Sequence, residues 1–132
     1  EEFVNLKYYK SVFKDLFLIF NRLNQINCSV KLANSGMDEG KRISRKALER
    51  IMEHPNYWFK FVISNESDIH EIERDFVKAF NIPAKRVLMM PGLDKQINYH
   101  ERTKFCMEMG KKYGYTGLTR LHVSAWDQTT GV

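Results

Sequence analysis

Apolar and polar positions alternate with two periods along this chain. Between Tyr57 and Ser64 the period is two: Tyr57, Phe59, Phe61 and Ile63 alternate with Trp58, Lys60, Val62 and Ser64. Ile26, Cys28, Val30 and Leu32 alternate in the same way with Asn27, Ser29 and Lys31. Period two marks a strand, because successive side chains point to opposite faces. Leu118–Trp126 also reads as a strand, with Leu121, Val123 and Ala125 on one face and Arg120, His122, Ser124 and Trp126 on the other. The short run Arg86–Met90, closed by Pro91-Gly92, reads as a strand buried on both faces.

Elsewhere the period is helical. Tyr9, Val12, Phe13, Leu16, Phe20 and Leu23 share one face of a helix over Phe3–Leu23. Ala47, Leu48, Ile51 and Met52 face inward from a helix that Ser44 caps and Pro55 stops. Ile69, Ile72, Phe76 and Phe80 predict a helix over Asp68–Phe80 with Ser67 as its cap. Phe105, Met109 and Tyr113 predict another over Ile97–Tyr113, ended by Gly114. Strands alternating with helices of this length imply βαβ units, a parallel sheet and right-handed crossovers. The expected class is α/β, with three parallel strands and a C-terminal strand at 118–126. Such a sheet is too small to close into a barrel, and a helix before the first strand suggests the second half of a larger fold.

The totals narrow the reading without deciding it. The 132 residues suit one domain, 1–132, and 43% apolar content with 13% aromatics is a folding composition. The formal charge of +5 favours an anionic partner. Lys and Arg are spread along the chain, which argues against nucleic acid. No run is long and apolar enough to span a membrane. Two cysteines, Cys28 and Cys106, have no metal or disulfide spacing and point to a reducing, cytoplasmic setting. The opening at Glu1, not Met, leads us to expect residues upstream.

Candidate chemistry gathers at the end of the first strand. Ser29 and Lys31 place a hydroxyl and an ammonium near its C-terminal end, where α/β sheets and barrels bind ligands. An edge strand with one solvated face is the plainer alternative. Gly36 and Gly40 lie in the following loop, but no G-x-x-x-x-G-K-[ST] pattern accompanies them. Asp68, Glu71 and Glu73 do not share a face, so they read as helix-dipole stabilisation, not as a metal site.

Four ordered segments resemble the 7-carboxy-7-deazaguanine synthases of the radical S-adenosylmethionine superfamily. Ser29-Val30-Lys31-Leu32-Ala33-Asn34-Ser35-Gly36 is similar to the family's S-P-K-L-A-N-S-G stretch. Lys60-Phe61-Val62-Ile63 is similar to its K-F-V-V strand, and Val87-Leu88-Met89-Met90-Pro91 to its V-L-L-M-P strand end. Arg120-Leu121-His122, Trp126 and Gly131-Val132 are similar to its R-L-H…W…G-V ending. The resemblance covers about residues 26–132.

The resemblance implies a partial (β/α) barrel, of which this chain would be the second half of a radical S-adenosylmethionine core. It implies conversion of 6-carboxy-tetrahydropterin to 7-carboxy-7-deazaguanine, on the route to queuosine and related deazapurines. The implied cofactors are S-adenosylmethionine, a [4Fe-4S] cluster and Mg2+; the implied partners are the pterin substrate and a second copy in a homodimer. Ser29, Val30 and Lys31 would contact S-adenosylmethionine, while Val132 and His122 would reach the substrate. Val30 stands where the family has proline, and Asp127-Gln128-Thr129-Thr130 replaces a more basic stretch. The C-x-x-x-C-x-x-C loop and the magnesium ligands are absent from these residues, so this chain alone is expected to be inactive. A non-catalytic half-barrel that binds a protein or a nucleotide is the alternative.

Overall fold

A computed structural model describes residues 20, 22–93 and 98–127. The expected helix over Phe3–Leu23 lies almost wholly outside the described residues, as does Val132.

Strands β1 (Ile26–Val30), β2 (Tyr57–Ile63), β3 (Val87–Pro91) and β4 (Thr116–Gly117) form one sheet in the order β1-β2-β3-β4. Every pairing is parallel. The register aligns Cys28 with Phe59 and Val30 with Phe61, and aligns Phe59 with Val87 and Phe61 with Met89. Alternation then places all of these on one face. Helices cover that face: α1 (Glu39–Arg42), α2 (Arg45–Met52), α3 (Glu66–Glu71) and α4 (Tyr99–Tyr113) fill the crossovers. Phe59, Phe61, Ile69, Ile72, Phe76, Val87 and Met89 form the fully buried centre of the core.

The inward stripe Ile69, Ile72 and Phe76 matches the periodicity. Its helix starts earlier than expected. Asn65, not Ser67, is the N-cap, and it forms a capping box with Asp68. From Ile72 to Lys78 the helix widens to π winding. Ser44 caps α2 by accepting from the Ala47 amide, and Gly114 ends α4 in the left-handed region at φ 77°.

Two expectations change. β3 is not buried on both faces: Val87, Met89 and Pro91 are buried, while Leu88 and Met90 are half-exposed. They lie with Ser29, Trp58, Lys60 and Val62 on the sheet's second face, which no described helix covers. The second correction concerns residues 118–126. The fourth strand is Thr116–Gly117, and Leu121–Trp126 is a short helix, α5. After the Leu118 amide donates to the Met89 carbonyl, the Arg120 amide turns away to the Tyr99 hydroxyl at 2.6 Å. The Val123 and Ser124 amides then close helical bonds to the Arg120 carbonyl. Of the alternating apolar residues Val123 is 5% exposed and Leu121 78% exposed. A single inward residue per turn satisfies a short helix as well as it satisfies a strand.

Close packing of backbone on backbone seats α4 against β4. A Cβ at Gly117 would lie 2.8 Å from the Cys106 carbonyl oxygen and 2.8 Å from the Met107 Cα. A Cβ at Gly110 would lie 2.8 Å from the Tyr115 carbonyl oxygen. We expect Gly117→Ala to lower unfolding free energy by about 1–3 kcal/mol, as overpacking does. Urea unfolding measures this, and an unchanged midpoint would contradict the close approach.

Candidate functional site

The C-terminal ends of β1, β2 and β3 open together at one rim of the sheet, and a cavity of about 300 Å³ lies there. Val30, Lys31, Leu32, Asn34 and Ser35 line it from the β1 side. Val62, Ser64, Gly92 and Leu93 line it from β2 and β3. Arg120 closes it from the segment that enters α5.

The rim loops are fixed by two buried carboxylates on α3. Asp68 accepts from the Ser64 amide at 2.7 Å and the Asn65 amide at 3.1 Å. Glu71 accepts from the Ala33 amide at 3.0 and 3.2 Å and from Arg42 Nη1 at 2.6 Å. The Glu71–Arg42 side chains are 9% and 8% exposed, so this is a buried ion pair. The loop between them folds on itself: the Ser35 hydroxyl donates to the Leu32 carbonyl at 2.7 Å, and Gly36 sits at φ 73°. Asn34 Nδ2 donates to the Val62 carbonyl at 2.9 Å, which ties the loop to β2. Across the rim, Arg102 Nη1 donates to the Ser64 carbonyl at 2.7 Å.

The residues singled out from the sequence fall in different places. Val30 and Lys31 line the cavity. Ser29 does not; it lies one residue below, exposed on the uncovered face and in register with Lys60. His122 leaves the strand face expected for it and lies exposed on α5, outside the cavity lining. Arg120 and Glu71 are the residues that reading by segments missed. Asp68 and Glu71 are three apart on one helix, so they do share a face, and that spacing was the available signal.

The thiols do not meet. Cys106 is buried and donates to the Met89 carbonyl at 3.1 Å, and Cys28 is half-buried on β1. Burial pushes the Cys106 thiol up to about 11, against a smaller lowering by the Leu118 backbone. Among the described residues no three His, Cys, Asp or Glu side chains converge to hold a metal ion. An iron-sulfur cluster needs thiolate ligands, and two separate cysteines, one a hydrogen-bond donor to backbone, do not fit it. No described helix is long and apolar enough to cross a membrane.

No protein-family model matches this chain, and no solved structure matches it. A curated relative does. The 7-carboxy-7-deazaguanine synthase of Pyrobaculum aerophilum is 38% identical over 77 residues, which is 58% of this chain. Over that segment the chain is similar to a 7-carboxy-7-deazaguanine synthase. The aligned segment spans 34% of that relative's length. The alignment thus supports, over 58% of the chain, the same family as that resemblance.

Two outcomes test the site's construction. Glu71→Gln leaves Arg42 buried without its charge partner, so we expect a loss of about 3–5 kcal/mol in denaturant unfolding and faster hydrogen exchange at the Ala33 amide. The double change Glu71→Leu with Arg42→Met should restore most of the stability but not the Ala33 protection. For Cys106 the folded value lies above the ordinary 9.0. Its contribution is thus fully present below about pH 9 and is lost as pH rises from about 9 to about 11. Unfolding across that window should show wild type losing stability that Cys106→Ala does not lose.

Proposed function

We propose that this chain forms the second-half wall of a radical S-adenosylmethionine protein of the 7-carboxy-7-deazaguanine synthase type. The observation that carries the reading is the placement of Val30, Lys31, Asn34 and Ser35 around one cavity at the C-terminal rim. These residues belong to the stretch that resembles the family's S-P-K-L-A-N-S-G segment. In this reading the sheet belongs to a partial (β/α) barrel, residues 1–132 form one unit of it, and the uncovered face looks into the barrel. Among the described residues β1 has no strand on its outer edge, which suits pairing with strands supplied from outside these residues.

The chemistry follows from the groups present. The Lys31 ammonium pairs with the carboxylate of S-adenosylmethionine, and backbone amides at the rim meet its ribose diol; a contact from Ser29, one residue below the cavity lining, rests on the resemblance alone. Glu71 keeps the Ala33 end of the loop in place, so Lys31 projects from a fixed base. Roles for His122 and Val132 toward a pterin substrate rest on the resemblance. Thiolates for a [4Fe-4S] cluster and ligands for Mg2+ would have to come from elsewhere, and no step is assigned to them. The proposal extends to a cytoplasmic protein acting as a homodimer in deazapurine biosynthesis.

A second reading is a non-catalytic half-barrel that binds a protein or another nucleotide. The donor set favours it, since Cys28 and Cys106 stand apart. Direct binding separates the two readings. Titration calorimetry should show that the chain binds S-adenosylmethionine and that Lys31→Ala weakens binding about tenfold or more, the value of a hydrogen bond to a charged group. Absence of binding by the wild-type chain favours the second reading.

A further inference from the structure

The cavity holds an electrostatic imbalance that the family resemblance does not address. Lys31 and Arg120 enter it from separate elements, one from the end of β1 and one from the turn before α5. Among the described residues no carboxylate lines it. Two buried acids behind the rim are engaged: Asp68 accepts from the Ser64 and Asn65 amides, and Glu71 from Ala33 and Arg42. Two of the neutral groups are occupied too, since Asn34 Nδ2 donates to Val62 and the Ser35 hydroxyl donates to Leu32. Arg120 Nε is buried without a hydrogen-bond partner among the described residues. Neither Lys31 nor Arg120 has an ion-pair partner among the described residues.

A half-buried guanidinium with an unsatisfied N–H is costly unless an acceptor reaches it. Its backbone is fixed, because the Arg120 amide donates to the Tyr99 hydroxyl at 2.6 Å. The planar fork is thus presented from a set position, which suits bidentate capture of an oxyanion. Lys31 adds a mobile point charge on a flexible stem. We propose that Arg120 and Lys31 form a two-cation cradle for one carboxylate of the bound small molecule, and that Arg120 selects the anionic ligand over its neutral analogue. This deepens the function proposed above and rests on it for the ligand's identity, but not for its charge.

Two ligands of that function carry a carboxylate: S-adenosylmethionine on its methionyl group, and the pterin on its ring. Binding should be measured on the full chain with each of four probes: S-adenosylmethionine, its carboxamide, 6-carboxypterin and inorganic phosphate. Arg120→Gln should weaken the carboxylate ligand that uses the cradle by about 10–100-fold. It should leave the carboxamide within about twofold, while Arg120→Lys should fall between wild type and Arg120→Gln. The ligand that responds identifies whose carboxylate is held. Lys31→Gln, at an exposed position, repeats the test should the Arg120 variants fail to fold.

The outcomes separate the two levels of the argument. If S-adenosylmethionine or 6-carboxypterin binds and neither substitution changes its affinity, the cradle is overturned and the proposed function stands. Equal weakening of acid and carboxamide also overturns it, because the effect would then not follow charge. If phosphate alone binds, and Arg120→Gln abolishes that binding, a two-cation anion site is supported while its carboxylate ligand and the proposed function fall. If the wild-type chain binds no anion, both fall.

Discussion

Two carboxylates one helical turn apart hold the C-terminal rim of the sheet together. Asp68 and Glu71 leave the same side of α3, each buried and each accepting backbone N–H bonds from a different strand end. Asp68 holds the exit of β2, and Glu71 holds the loop that follows β1. Arg42 neutralises Glu71 from α1, so the loop is fixed at both of its ends. A buried acid that lost these donors would be strongly destabilising, so helix and rim have to form as one unit. Whatever the cavity binds, it binds to backbone that these two groups have positioned.

The sheet supplies the second constraint. Parallel register and strict alternation send Cys28, Phe59, Phe61, Val87 and Met89 to the helix-covered face. The same alternation sends Ser29, Trp58, Lys60, Val62, Leu88 and Met90 to the other, which stays half-exposed or exposed. Packing on one face therefore fixes what is displayed on the other. The crossover helices put the cavity-lining loops at the C-terminal rim, where parallel sheets generally bind ligands. Small residues complete the rim: Gly92 lies against Ser64, where a Cβ would approach the hydroxyl to 2.7 Å.

Much of this was legible in the residues. The three parallel strands, the stripe Ile69, Ile72 and Phe76, the Ser44 cap and the Gly114 stop all follow from local rules that tertiary contacts reinforce. Residues 118–126 were not legible. Six residues with a single buried side chain, Val123, give too little pattern to separate period two from a helical turn. The bond that decides it, from the Arg120 amide to the Tyr99 hydroxyl, spans 21 positions. His122 was misplaced for the same reason. Lys31 was legible through its place at a strand end, but Arg120 was not, because only the fold brings it across the rim. Glu71 was read as a dipole charge; its partners Ala33 and Arg42 lie 38 and 29 residues away and carry no sequence signal.

The central claim is that ligand chemistry sits on the rim held by Asp68 and Glu71, not on the opposite ends of the strands. Amide chemical shifts of the isotope-labelled chain, followed while S-adenosylmethionine is added, test this most directly. The account predicts that the moving signals are those of Lys31 to Gly36, Ser64, Gly92, Leu93 and Arg120. Shifts confined to Asn56, Trp58 and Arg86 at the far ends of the strands would contradict it.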